Sequence, residues 1–324
     1  MMAAGGSGRP KTAAAAKGPR RITVARRLVQ VAALALFCLP VLAAGWGLFG
    51  TFSGTETEVA TPAQGPFYGS LASSSVAGVT LLDPLAVLEM AAAAKSFDPL
   101  WLVGALPVVL VYGLVRGRAF CGWVCPVNLL GEGADWLRGK LGLPDGGRPL
   151  PRRAKIAMAA ATVVLSALAA FPLFQAVSPI GAVNKGLAFG GFAGALTLVA
   201  VLTCDLLWKR RAWCRSLCPL GGLYQVLGRA GQLNVAISPS ECTHCGRCQK
   251  ACLADPSILQ PALSGQQLQV KAGDCMACGA CIDACPSRAL RFQLGRRGKG
   301  PCSAAEPFGE SSAETVTMTV SNRT

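Results

Sequence analysis

The sequence predicts an α-helical membrane domain, four transmembrane helices arranged as two related hairpins, followed by a small cysteine-rich α+β domain on the cytoplasmic side. Three observations lead there. Apolar residues fill 52% of the 324 positions and charged residues only 15%, outside the range of an ordinary soluble domain. Four apolar runs approach or exceed the roughly 20 residues that cross a hydrocarbon core. Fifteen cysteines accompany a single histidine, His244, which puts metal chemistry on thiolates.

Residues 1–21 (MMAAGGSGRPKTAAAAKGPRR) have no apolar periodicity and read as a disordered basic tail. A membrane domain follows over 22–231, with spans at about 28–50, 98–115, 156–177 and 187–208. Lys and Arg set its orientation. There are seven up to Arg27, only Lys95 in 51–97, eight in 116–155, only Lys185 in 178–186 and five in 209–229. That alternation puts the N and C termini on the cytoplasmic side of a multi-pass inner-membrane protein. It also accounts for the net charge of +15, so lipid rather than nucleic acid is the expected partner.

A competing reading takes residues 25–46 as a cleaved twin-arginine leader, which would leave three spans and break the alternation. In the first outer loop, Leu81 to Lys95 holds a helix start at Pro84 and an apolar segment too short to cross, expected in the membrane interface. Asp205 is the one acid well inside an apolar run, where an i,i+4 pair with Lys209 accounts for it.

The strongest chemical signal lies in 232–296, ahead of a disordered tail at 297–324. Cys242, Cys245, Cys248 and Cys252 form C-x2-C-x2-C-x3-C, and Cys275, Cys278, Cys281 and Cys285 repeat it, closed by Pro286. Three cysteines at intervals of three wrap one corner of a cubane, while the fourth reaches the other cluster. Two [4Fe-4S] clusters are therefore expected in a bacterial-type 2[4Fe-4S] ferredoxin-like domain. One is held by Cys242, Cys245, Cys248 and Cys285, the other by Cys275, Cys278, Cys281 and Cys252. Zinc knuckles are the competing reading, but they take two C-x2-C pairs. Small residues recur at Gly246/Gly279 and Ala251/Ala284, where the backbone must approach a cluster. Cys252 departs from the pattern by preceding Leu253, with its proline only at Pro256. His244 reads as an exposed polar residue.

A second repeat joins RAFCGWVCP, Arg118 to Pro126, to RAWCRSLCP, Arg211 to Pro219. Each CxxxCP motif (121–126 and 214–219) follows an even-numbered span, so Cys121, Cys125, Cys214 and Cys218 converge from two related hairpins. Spaced by four, each pair would share a helix face. The four thiols could bind a further metal, act as redox dithiols or line a pocket, and a redox or metal role is favoured. Phe120, Trp123 and Trp213 read as interface-belt aromatics. Cys38, Cys204 and Cys302 belong to no motif and read as buried or incidental.

DPLAVLE, RAFCGWVCPVN, RRAWCRSLCPLG, CTHCGRCQKACLADPSILQPAL and GDCMACGACIDACP together resemble the family of NapH- and MauN-type ferredoxin-like membrane proteins, on its NapH side. The resemblance implies a quinol dehydrogenase component that takes electrons from quinol and passes them toward a periplasmic nitrate reductase. It implies a NapG-like periplasmic ferredoxin subunit as partner, with NapC-like or NapF-like carriers as further candidates. A maturation factor that reduces or metallates a partner enzyme is the alternative.

Overall fold

The computed structural model describes residues 20–43, 67–69, 73–76, 79–143, 150–189, 194–270 and 273–295. The predicted tails, except for Arg20 and Arg21, and Cys302 lie outside the described residues.

Helix α1 (Arg21–Ala43) begins where Asp283, from the far end of the chain, accepts hydrogen bonds from Ile22 N at 3.3 Å and Thr23 N at 2.7 Å. A carboxylate thus satisfies amides that a first helical turn leaves free. Strands Phe67–Gly69, Ser73–Val76 and Val79–Leu82 form an antiparallel meander with Phe67 opposite Val76 and Ser73 opposite Leu82. Helices α2 (Pro84–Ala94) and α3 (Pro99–Val115) start by one device. Asp83 and Asp98 accept from Leu85 N and Leu100 N, at 3.2 and 2.9 Å, and proline takes the first helical position.

After α3 come α4 (Ala119–Trp123), α5 (Pro126–Leu141), α6 (Ala154–Ala169), α7 (Leu173–Val177), α8 (Pro179–Phe189) and α9 (Ala195–Thr203). Two π-helical turns follow, Cys204–Trp208 and Trp213–Leu217, and then α10 (Pro219–Leu227). Helix α6 packs between α2 and α10, and Leu85, Phe120, Phe174, Leu220 and Tyr224 form the core there.

Among the described residues no helix is long and apolar enough to cross a membrane. This overturns the fold of four transmembrane helices. Helix α1 carries Arg21, Arg26 and Arg27 in its first turns, and Arg26 is buried. Helix α3 has 17 residues. The third run breaks where Ala170 turns left-handed (φ 51°) ahead of Phe171-Pro172. In the fourth, the described helices are α8, Pro179–Phe189, and α9, Ala195–Thr203. The segment expected in the interface is instead a buried helix, α2, whose Leu85 and Glu89 are almost wholly enclosed. The outward faces of α3, α6 and α9 do present Leu100, Leu110, Leu168 and Leu196 to the outside.

The C-terminal part is a two-stranded antiparallel ribbon, Leu233–Ile237 with Leu290–Leu294, in which Leu233 faces Leu294 and Ile237 faces Leu290. Helices α11 (Arg247–Ala251) and α12 (Ala280–Asp283) stand between the strands in sequence. Val235, Ile237, Ile258, Met276 and Leu290 fill the core beneath them.

Candidate iron–sulfur centres

The two cysteine loops have the same backbone. His244 and Ala277 lie at φ 50°, and Gly246 and Gly279 at φ 70°, each pair 33 positions apart. Left-handed residues at both points curl the chain so that amides turn toward cysteine sulfur, as Ala277 N does toward Cys275 Sγ at 3.4 Å. The structure brings Cys242, Cys245, Cys248 and Cys285 to the wall of one cavity, which the exposed His244 also lines. It brings Cys252, Cys275, Cys278 and Cys281 to the wall of a second. Burial pushes the Cys252 thiol up to about 12 and Cys281 well above the usual thiol range. The amide of Arg247 lowers the outermost one, Cys245. After Cys252 the chain bends through Leu253 and Ala254 to Asp255, which caps the turn opened by Pro256.

The CxxxCP thiols share a third cavity: Cys121, Cys125, Cys214 and Cys218, together with Arg118, Phe120 and Trp213. The pairs do not share a helix face, because α4 and the second π turn stop short of the second cysteine. Cys125 and Cys218 instead sit at the N-caps of α5 and α10, ahead of Pro126 and Pro219. Gly221 N donates to Cys218 Sγ at 3.4 Å. That amide favours the thiolate, but burial outweighs it and pushes the Cys218 thiol up to about 12.

The recurring arginine also has a cause. Arg118 Nη2 donates to Cys214 O in the second motif at 3.0 Å. Arg211 reaches back past the first motif to Asn128 Oδ1 at 2.6 Å and pairs with Asp135 at 2.8 Å. Each motif's arginine therefore braces the other repeat. Both are almost fully buried, and although Arg118 Nε and Arg211 Nη2 have no hydrogen-bond partner, the bonds made by their other nitrogens hold the guanidiniums in place. Sequence reasoning set these arginines aside, although their recurrence in the motif was the available signal.

The third cavity abuts the second. Cys121 and Cys214 pack against the core that holds Cys275, Cys278 and Cys281, and a Cβ on Gly122 would lie 2.7 Å from Met276 O. Trp123 is not part of an interfacial belt, since its Nε1 donates to Ala277 O at 2.9 Å. Phe120 is buried against Tyr112 and Tyr224. Two acids, absent from the sequence reading, clamp the parts together. Asp274 meets Arg152 at 3.6 Å and Lys155 at 3.8 Å, and Asp255 meets Arg215 at 3.1 Å. The Asp205 carboxylate accepts from Trp213 N at 3.0 Å, holding the start of the second motif.

Among the described residues no three His, Cys, Asp or Glu side chains close to the spacing of a single metal ion. Zinc would draw four sulfurs to about 2.3 Å from one point. A cubane gives each thiolate its own iron, so cysteines standing around a cavity suit it better. All-sulfur donors and amides directed at sulfur fit the same group.

A profile described as a 4Fe-4S binding domain matches residues 97–144 and 187–237, each holding one CxxxCP motif. A 4Fe-4S dicluster domain matches 234–286, with all eight ferredoxin-type cysteines. The methylamine utilization ferredoxin-type protein MauN of Methylorubrum extorquens is 37% identical, over 85% of this chain and 88% of its own length. The ferredoxin-type protein NapH is 31% identical in Haemophilus influenzae and 32% in Escherichia coli, each over 82% of this chain and 88% and 86% of theirs. No solved structure matches.

Proposed function

The chain belongs to the NapH and MauN family of ferredoxin-type proteins, and from that premise we propose that it takes electrons from quinol and passes them through iron–sulfur centres to a ferredoxin partner. The family and the two 4Fe-4S domain matches make it an iron–sulfur electron-transfer protein. The observation that carries the proposal further is the succession of three four-cysteine cavities, with the CxxxCP set packed against the second ferredoxin set. Cys242, Cys245, Cys248 and Cys285 hold one cluster, and Cys275, Cys278, Cys281 and Cys252 the other. Cys121, Cys125, Cys214 and Cys218 hold a further iron–sulfur centre. When bound, these groups supply one-electron acceptors.

Iron analysis of anaerobically purified protein tests the third centre. It should find about twelve irons per chain, four per cubane, falling to about eight in Cys121→Ser/Cys214→Ser with the ferredoxin signals kept. About eight irons in both proteins would return the CxxxCP thiols to packing.

A NapG-like ferredoxin serving periplasmic nitrate reductase is the proposed recipient, with NapC-like or NapF-like carriers as alternatives. The proposed location is the inner membrane, with the clusters on its cytoplasmic side. The exposed leucines of α3, α6 and α9 support contact with lipid, and fractionation before and after a salt wash tests it. The 37% identity to MauN supports a second reading, maturation of a partner redox enzyme. Reduction of an apo-enzyme by the purified chain, in place of a NapG-type ferredoxin, would select it.

A further inference from the structure

We propose that the cleft between Asp83, at the N-cap of α2, and helices α3, α4, α7, α8 and α10 is the hydroquinone-binding site, with the Asp83 carboxylate receiving the ring hydroxyl. This rests on the quinol reading above and gives it a place. The cleft measures about 160 Å³ and is lined by Asp83, Tyr112, Phe120, Phe174, Gln175 and Tyr224, among others. A dry cavity of about 150 Å³ accommodates a benzene ring, so one aromatic headgroup fits.

Its wall is a cluster of three rings. Phe120 stands edge-on to Tyr112 with centroids 5.7 Å apart, and Tyr224 lies 5.4 Å from Phe120 and 5.5 Å from Tyr112. Aromatic walls with a few convergent polar groups are how flat ligands are held. Phe120, Phe174, Ile180 and Leu220 line this cleft on one side and the CxxxCP cavity on the other. A ring bound here is therefore one layer of side chains from Cys121 and Cys125.

Asp83 caps α2 through Leu85 N, which on its own would explain an aspartate. The cleft adds a second feature, since burial pushes this carboxyl up to about 7, into the range useful to a proton acceptor. The titratable groups facing it are Glu89, whose charge raises it further, and Tyr224, while Gln175 and the Leu85 and Ala86 amides hydrogen-bond to it. Oxidising one hydroquinone to quinone breaks two O–H bonds. The two electrons leave singly to acceptors of the iron–sulfur class. The two protons pass in turn to the Asp83 carboxylate, which releases the first to water before taking the second.

The test uses the full-length holoprotein and the redox-inert analogue 2-heptyl-4-hydroxyquinoline N-oxide, whose fluorescence reports binding. Asp83→Asn keeps a good N-cap but removes the carboxylate, and Val108→Phe fills the cleft while leaving Asp83 in place. Binding should weaken about tenfold or more in each, the loss expected of one charge-assisted hydrogen bond or of the ring's space. In the parent it should tighten as pH rises through about 7, and in Asp83→Asn that dependence should vanish. Circular dichroism and iron content confirm that both variants are folded. If both bind the analogue as the parent does, and menadiol still reduces their clusters, the cleft assignment is wrong and the quinol reading stands. If the parent neither binds the analogue nor is reduced by menadiol, the quinol reading itself fails.

Discussion

Gly122→Ala is a one-carbon test of whether the first CxxxCP motif lies against the second cluster loop. An added Cβ would lie 2.7 Å from Met276 O and 3.4 Å from Met276 Cβ. The nearest atom is backbone carbonyl, and Met276 is buried, so neither side can swing away. Overpacking of this kind costs about 1–3 kcal/mol. The same shift would disturb Gly122 O, which accepts from Gln30 Nε2 at 3.0 Å.

Gly133→Ala, on the exposed face of α5, supplies the contrast. Its Cβ would meet nothing within 4 Å, and replacing glycine by alanine in a helix stabilises by about 0.5–1 kcal/mol. Two chemically identical substitutions should therefore separate by about 1.5–4 kcal/mol. Denaturant midpoints from far-ultraviolet circular dichroism, with the rate of iron loss to a chelator alongside, measure the difference. Equal stability of the two variants would refute the packing of α4 on the Met276 loop.

Arg211→Lys should cost about 2 kcal/mol, because an ammonium cannot bond Asn128 and Asp135 together; the half-exposed Arg210→Lys should cost about 0.5 kcal/mol or less on the same denaturation curve. Asp83 gives a pH dependence of known sign. Its folded value of about 7 lies above its ordinary 3.8, so the stability it contributes is complete below pH of about 4 and is lost as pH rises through about 7. The upper bound is about 4 kcal/mol, less because the residue is not fully enclosed. Asp83→Asn should flatten the stability profile over that window.

The features readable in the sequence are local ones. C-x2-C-x2-C-x3-C fixes a loop whose turns at Gly246 and Gly279 need only nearby residues, and Asp-Pro-Leu at 83–85 and 98–100 announces two helix starts. Hydropathy misled because it counts apolar residues without asking where a helix can continue. Ala170 and Phe171-Pro172 interrupt a run that looks continuous on average. Long-range pairings were beyond reach in principle. Nothing near Ile22 predicts that Asp283 caps its helix, and nothing near Arg118 names Cys214 as its acceptor. The recurrence of the arginine showed that it mattered, and only the fold showed that each repeat uses it to hold the other. The quinol cleft was illegible for the same reason, since its walls come from segments between Phe37 and Tyr224.

Entry of electrons from quinol is tested most directly by anaerobic titration of the purified holoprotein with menadiol in the presence of a NapG-type ferredoxin, following the iron–sulfur signals by electron paramagnetic resonance. Menadiol should elicit reduced-cluster signals in the parent protein and far weaker ones in Asp83→Asn. Clusters that dithionite reduces and menadiol never does would contradict it.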